Sequence, residues 1–220
     1  MKVLAYRDWT QLLCDHFFGE RHRGRPVTFF VDDELLSELS GLPNAEAGLA
    51  SFRKAVNPYI RPDSYGRPFN YICRQQAIWK ARGAVGCPPS LPVLALLVLA
   101  ASHMARGEKV TAANYWHRFG ELTGIGGTRG RDEIPQLWED YTWWLNEKLG
   151  GSHGLSTVRK DEWFTIIGYA LSQALFRQSD RQRLTEFFLR IDLEPGEELS
   201  GEEILHYFRA WIPNSTLSPG

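Results

Sequence analysis

Cysteine is scarce in this chain of 220 residues, and the three cysteines present do not group. Cys14, Cys73 and Cys87 are odd in number and far apart, which excludes both a disulfide framework and the usual spacing of a zinc site. We therefore expect free thiols and a reducing, cytoplasmic compartment. Cys14 falls inside an amphipathic pattern, so we expect a small buried thiol there rather than a nucleophile.

Long apolar runs are missing as well. The longest, LPVLALLVLAASHM at 91–104, has 14 residues, whereas a helix that spans a bilayer needs about 20. The first residues, MKVLAYRDW, lack the apolar segment of a signal peptide. We therefore predict no membrane association, and we predict that 91–104 is a helix buried on most sides.

Neither sign of charge dominates. The chain has 25 Lys and Arg against 26 Asp and Glu, which gives a net charge of −1. Dedicated nucleic-acid binders often have a strongly basic balance, so the total charge does not favour that class. A local basic patch is still compatible with this balance, because the cationic side chains can cluster.

Two common motifs for nucleotide and zinc binding are absent, since the sequence has no G-x-x-x-x-G-K-[ST] and no H-E-x-x-H. The pattern G-x-S-x-G occurs only as GGSHG at 150–154, which ends the helical pattern of 133–149 and does not follow a predicted strand. The glycines at 124–127 follow a helical pattern, whereas a dinucleotide-binding loop follows a strand. We therefore predict no cofactor, no metal site and no catalytic residue.

One acidic cluster leaves an enzymatic alternative open. Asp32, Asp33 and Glu34 follow a predicted strand, and carboxylates there can hold Mg²⁺ in a metal-dependent nuclease or other hydrolase. In the simpler interpretation the acids begin a short helix, where they favour the dipole and Asp32 or Asp33 caps it. We favour the simpler interpretation, because no further acid and lysine stand in register.

Aromatic residues are plentiful, at 13% of the chain, and they recur at helical spacing. Ile134, Leu137, Trp138, Tyr141 and Leu145 predict a helix over 133–149. Comparable patterns predict further helices over 44–57, 69–83, 91–105 and 111–125. The predicted fold is therefore mainly α, a compact multi-helix domain.

A minor β element is predicted near the N-terminus. VTFFV at 27–31 is β-branched and aromatic, and 156–158 with 163–167 is the only plausible source of a partner. We divide the chain into a helix–strand–helix segment at 1–43, a helical domain at 44–213 and a linker-like tail at 214–220. The first two are expected to form one globular unit.

Basic residues interleaved with aromatic rings are the main signal for binding. Such patterns suit nucleic acid, since the cations contact phosphates and the rings stack on bases. Alternatively, the basic side chains lie over the edges of the core and pair with acids, which the balanced charge favours. The candidate binding residues are Arg21, Arg23, Arg25, Arg61, Arg67, Arg74 and Lys80, among rings such as Tyr59, Tyr71 and Trp79.

A second basic cluster lies in a predicted helical hairpin. One helix is predicted over 169–178, and a second begins at Ser179 or Asp180. A helix-turn-helix would direct the start of its second helix to the major groove of DNA. The second helix is short and strongly apolar, however, so we favour two core helices with a solvated turn. The candidate binding residues at this turn are Arg177, Arg181 and Arg183.

Four segments carry a resemblance to known proteins. Read in order, SLPVLALLVLAASHM, NYWHRFGEL, LWEDYTWWLNEKLGG and IGYALSQALFRQSDRQRLTEFF resemble uncharacterised bacterial proteins, of actinobacterial type, from antiphage-defence loci. The resemblance covers about residues 86–212 and implies the N-terminal part of a longer protein. It transfers no catalytic residue. It implies a role in, or beside, antiphage defence. We therefore hypothesise that the chain is a non-enzymatic binding or scaffolding component of a defence assembly, which contacts a protein partner or nucleic acid.

Overall fold

The fold is mainly α, as the sequence predicts. The structure is a computed structural model that describes residues 4–22, 29–104, 112–125, 133–149, 185–189, 191 and 199–211. The chain divides into two compact units, Met1–Ala174 and Leu175–Gly220. The first unit contains α1 (Tyr6–Phe18), α2 (Asp33–Ser40), α3 (Ala45–Val56), α4 (Asn70–Ala81), α5 (Leu91–Met104), α6 (Ala112–Thr123) and α7 (Glu133–Leu149), with 3-10 turns at Glu20–His22 and Asn57–Ile60. The second contains the helical residues 185–189 (α8) and α9 (Gly201–Trp211).

Helix α5 is the centre of the first unit. Every one of its 14 residues except His103 is buried, which confirms the predicted central helix. Helices α1, α3, α6 and α7 pack around it, and α2 packs against α3. Because α1 and α2 contact these helices, residues of the N-terminal segment belong to the same compact unit. None of the helices in the described ranges is long and apolar enough to cross a membrane.

The α2–α3 hairpin is defined by short-range signals. The Asp32 carboxylate accepts a hydrogen bond from Leu35 N at 2.9 Å, and Asn44 caps α3 in the same way through Ala47 N. Such caps satisfy backbone donors that a helix leaves unpaired. Gly41 ends α2 with a φ of 64°, the left-handed conformation that glycine adopts without a steric penalty. The cap at Asp32 confirms the predicted start of α2.

The predicted β element is wrong. Residues 29–32 form no strand, although Phe29 and Val31 are fully buried. Residues 27 and 28 and the expected partner segments, 156–158 and 163–167, lie outside the described residues. The Phe29 ring packs 4.8 Å from Phe17 and 5.6 Å from Tyr141, measured between centroids. Aromatic and β-branched residues favour half-buried sheet surfaces, and helices bury the same side chains equally well. The segment is therefore an apolar link that fills the helical core.

The second unit is described through α8 and α9. Ser200 and Glu203 form a capping box, with Ser200 Oγ 2.7 Å from a Glu203 carboxylate oxygen. Hydrogen bonds from the side chain and then the backbone of Ser200 hold the pKa of Glu203 below its usual range. Trp211 is buried against Phe187, whereas Ile204 and Leu205 are 38% and 46% exposed. The buried face of α9 is therefore narrow.

Candidate functional site

A groove of about 620 Å³ lies on the first unit, between α1, the turn Asn57–Ile60, α4 and the connector after α4. Pockets that bind small molecules usually measure about 300–1,000 Å³, so this groove has room for one such ligand or for one unit of a polymer. We call it the aromatic–arginine groove. Its main lining residues are Tyr6, Arg7, Tyr59, Tyr71, Trp79 and Arg82.

Three tyrosines form a column of rings in this groove. Tyr6 and Tyr59 are stacked, with centroids 3.7 Å apart and planes 21° from parallel. Tyr59 in turn meets Tyr71 edge to face at 5.6 Å. Tyr6 is buried, whereas Tyr71 is 49% exposed. The column therefore leads from the core to solvent, and its outermost ring is available to a ligand.

Two hydrogen bonds hold the rings against the connector. The Tyr6 hydroxyl donates to Pro89 O at 2.6 Å, and Trp79 Nε1 donates to Val85 O at 2.9 Å. Burial, followed by the neighbouring Tyr59 and Tyr71, raises the pKa of Tyr6 well above its usual value. The hydroxyl is therefore protonated at neutral pH and keeps its role as donor, so the inner part of the groove is rigidly built.

The charge of the groove wall has one sign. Arg7 and Arg82 both line the groove and are exposed, and no Asp or Glu lines it. Neither guanidinium forms an ion pair or a hydrogen bond with any residue that the structure describes. Arg53 behaves differently, since it donates to the carbonyl of Glu121 at 3.0 Å. Within the described part of the chain, both groove arginines therefore have donors available for a partner.

A disulfide joins two walls of the groove. Cys14 of α1 is bonded to Cys87 of the connector, with their Cα atoms 6.2 Å apart. The expectation of a free buried thiol at Cys14 is therefore wrong, because the fold brings together two cysteines 73 positions apart in sequence. Cys73 is the free cysteine. Disulfides persist in oxidising compartments, so the cytoplasmic location stays an untested prediction.

Three of the predicted binding residues are exposed near the groove. Arg61, Arg67 and Arg74 point to solvent, and none of them lines the groove. Arg61 and Arg67 lie in the loop before α4, which Asp63 orders by accepting hydrogen bonds from Tyr65 N and Arg67 N at 2.9 Å each. Their role in binding stays a prediction, and the structure supplies a well-ordered loop to present them.

Lys80 is used inside the fold. Its ammonium lies 2.6 Å from an Asp140 carboxylate oxygen and 5.0 Å from the centroid of the Trp143 ring. Only 9% of the Asp140 side chain is exposed, so this pair joins α4 to α7 at the edge of the core. Because this charge is already paired, we leave Lys80 out of the proposed binding surface.

We expect Lys80→Met to lower the free energy of unfolding by about 2 kcal/mol. This loss lies between those measured when exposed and when buried ion pairs are broken. The change leaves the Asp140 carboxylate with the Gln136 amide at 3.1 Å as its other described partner. Urea denaturation of both proteins measures the loss. Lys54→Met, at an exposed position on α3, is the control and should change stability by less than about 0.5 kcal/mol. Equal losses in the two variants would contradict a structural role for Lys80.

Five predicted binding residues lie outside the described residues: Arg23, Arg25, Arg177, Arg181 and Arg183. The backbone of Arg21 belongs to the turn Glu20–His22, but its side chain is not among those described. Residues 185–189 of the predicted hairpin are helical, as expected for its second helix. The choice between a DNA-reading hairpin and a core hairpin therefore stays open.

The acidic cluster has structural partners. Asp32 caps α2, and a carboxylate oxygen of Asp33 lies 2.7 Å from His103 Nε2 at the end of α5. Asp33 is buried, whereas Glu34 is exposed. Across the described residues, no group of three or more His, Cys, Asp or Glu side chains could hold a metal ion. Asp33 thus ties α2 to α5. The cap formed by Asp32 is the one that the simpler interpretation predicts.

Sequence reasoning missed Arg7, Tyr6 and the amide side chains of Gln11 and Gln75, which also line the groove. The basic residues interleaved with aromatic rings, on α4 and in the turn before it, were a usable signal for this site. Tyr59, Tyr71 and Trp79 belong to that pattern. No local signal marks Arg7. It becomes part of the site because α1 packs beside a connector about eighty positions later in the sequence.

The chain matches no protein-family model, no curated protein and no solved structure. The resemblance to proteins of antiphage-defence loci therefore stays a prediction, as do the partners that it implies.

Proposed function

We propose that this chain is a non-enzymatic binding component of a bacterial antiphage-defence assembly, and that its aromatic–arginine groove holds an anionic partner. The observation that carries the binding role is the pair of guanidiniums of Arg7 and Arg82, which among the described residues have no ion-pair partner and share a groove wall that no described carboxylate lines. The defence setting rests on the sequence resemblance alone.

Arginine favours partners with negatively charged oxygens. Its planar guanidinium matches carboxylate and phosphate groups through paired hydrogen bonds, and it stacks on aromatic faces. Local stability does not explain Arg7, because it lies in the first turn of α1, where the helix dipole disfavours a cation. Both an acidic protein segment and nucleic acid offer the required oxygens, and both agree with the partners expected from the sequence.

No observation in the described residues favours the metal-dependent hydrolase. Asp32 and Asp33 are engaged in capping and in the contact with His103. A hydrolase of that kind needs carboxylates that are free to coordinate the metal. We therefore do not carry the enzymatic alternative further.

We expect a charge-reversed variant, Arg7→Glu with Arg82→Glu, to bind anionic probes at least about 100-fold more weakly than the native chain, since each reversal removes an attraction and adds a repulsion. The probes are a labelled single-stranded DNA, a DNA duplex and an acidic peptide. Fluorescence anisotropy at about 50 mM salt measures binding, because low salt strengthens such contacts.

A control variant, Lys54→Glu with Arg209→Glu, changes the net charge equally at two exposed positions outside the groove wall. It should bind within about twofold of the native chain if the groove is the site. The proposal fails if no probe binds the native chain, or if the charge-reversed and control variants lose affinity equally.

A further inference from the structure

We infer that the anionic partner of the groove is single-stranded nucleic acid, with a base stacked on Tyr71 and the backbone phosphates held by Arg7 and Arg82. This inference rests on the proposed function and names its ligand. It follows from three features of the same surface: an exposed ring supported by two further rings, amide side chains that line the same groove, and exposed cations that continue outside it.

Tyr71 is a prepared stacking platform. About half of its surface is exposed, and its edge-to-face contact with Tyr59 supports the ring. Tyr59 is stacked on Tyr6, which is fixed by the hydrogen bond to Pro89 O. A ring that is already ordered loses little conformational entropy when a base stacks on it. This is the arrangement that sequence-tolerant stacking on single strands requires.

The polar side chains of the groove suit the edge of a base. Gln11 and Gln75 both line it, and an amide side chain can donate and accept hydrogen bonds. Gln11 Nε2 already donates to an Asp15 carboxylate oxygen at 2.8 Å, which leaves the Gln11 carbonyl oxygen as an acceptor toward the groove. Bases present donors and acceptors side by side on their edges, so the Gln75 amide can pair with them in two directions. The carboxylates of an acidic peptide are acceptors only and cannot donate to these amide oxygens.

The balance of rings and cations also favours nucleic acid over an acidic peptide. Four aromatic rings and two guanidiniums are among the lining residues, and the carboxylates of an acidic peptide would engage the guanidiniums but not the exposed ring. A duplex is a poor fit as well, because its bases are stacked on each other and paired. A single strand supplies free base faces and phosphates together.

A polymer fits better than a free nucleotide because exposed cations continue beyond the groove. Arg74 follows Tyr71 by one helical turn on α4, and Arg61 and Arg67 lie on the loop before it. All three are exposed, and none forms an ion pair within 4.0 Å in the described part of the chain. These side chains can contact phosphates on either side of a bound base, which a mononucleotide does not have.

The test uses the whole chain and a DNA strand of about 12 nucleotides, the span of a typical single-strand site. The strand carries the fluorescent base 2-aminopurine, whose emission falls when it stacks. We expect Tyr71→Ala to weaken binding about tenfold and to remove the fall in emission, since one stacked base is lost. Tyr71→Phe keeps the ring and should behave as the native chain. Circular dichroism of each variant checks that the fold is kept.

The competing ligands make the outcomes distinct. If the acidic peptide binds through Arg7 and Arg82 and the strand does not, the inference fails while the proposed binding function stands. If a duplex or a mononucleotide binds as tightly as the strand, single-strand recognition is overturned. If Tyr71→Ala binds the strand as well as the native chain does, the stacking role is overturned. If nothing binds, the inference and the proposed function fail together.

Discussion

Replacing Cys14 and Cys87 with alanine lowers the free energy of unfolding by about 4 kcal/mol, as estimated for the closure of a loop of this length. The bond spans 73 positions, so its loss frees a large part of the first unit in the unfolded state. Small domains are stable by only about 5–15 kcal/mol, and the loss is therefore a large fraction of the total. Urea denaturation of the native chain and the double variant, both under oxidising conditions, measures it.

Thiol counting provides the control for this prediction. The unfolded, unreduced chain should show one reactive thiol, that of Cys73, and three after reduction. In the folded chain Cys73 should react slowly at pH 8, because burial, and then Glu133 and Asp140, raise its pKa to about 12. Replacement of Cys73 by alanine should leave the bond between Cys14 and Cys87 intact. Three reactive thiols without reductant would contradict the bond.

We expect Gly48→Ala to lower the free energy of unfolding by about 3 kcal/mol. This value is the upper end of the range for adding a carbon atom to a well-packed interior. A Cβ atom at Gly48 would lie 2.5 Å from Ser37 N, 2.7 Å from Ser37 Cα and 2.8 Å from Leu36 C. These are backbone atoms of α2, which cannot rotate away as a side chain can. Helices α2 and α3 would have to separate, although alanine is the better helix former.

Gly201→Ala is the matched control for this change. Gly201 begins α9, and a Cβ atom there would meet nothing within 4 Å. Stability should change by less than about 1 kcal/mol, in the direction of a gain. Thermal unfolding of both variants gives the comparison. An equal melting temperature for Gly48→Ala and the native chain would contradict the close approach of α2 and α3.

The helices could be predicted because their signals are local. The pattern of Ile134, Trp138 and Tyr141 predicts a helix over 133–149, and α7 has these bounds. The helices expected over 44–57, 69–83 and 91–105 occur as Ala45–Val56, Asn70–Ala81 and Leu91–Met104. Periodicity and capping residues act within a few positions, so one sequence is enough to locate such elements.

The strand prediction failed for a reason that lies outside the segment. Phe29 and Val31 are buried, as an alternating strand pattern requires, but their contacts are helices. A strand exists through hydrogen bonds to a second strand, and burial by itself does not provide one. The pattern therefore showed which side chains face the core and left open what the core is made of.

The sequence by itself determined the mainly helical class, the buried α5, the caps of α2 and α9, and the interleaving of rings and arginines along α4. Tertiary structure alone decided that Arg7 and Arg82 line the same groove, that Tyr6 supports Tyr59 and through it Tyr71, and that Cys14 meets Cys87. These arrangements bring together positions about fifty to eighty residues apart. No local pattern encodes them, because they depend on how α1 packs against α5 and on where the connector after α4 then passes.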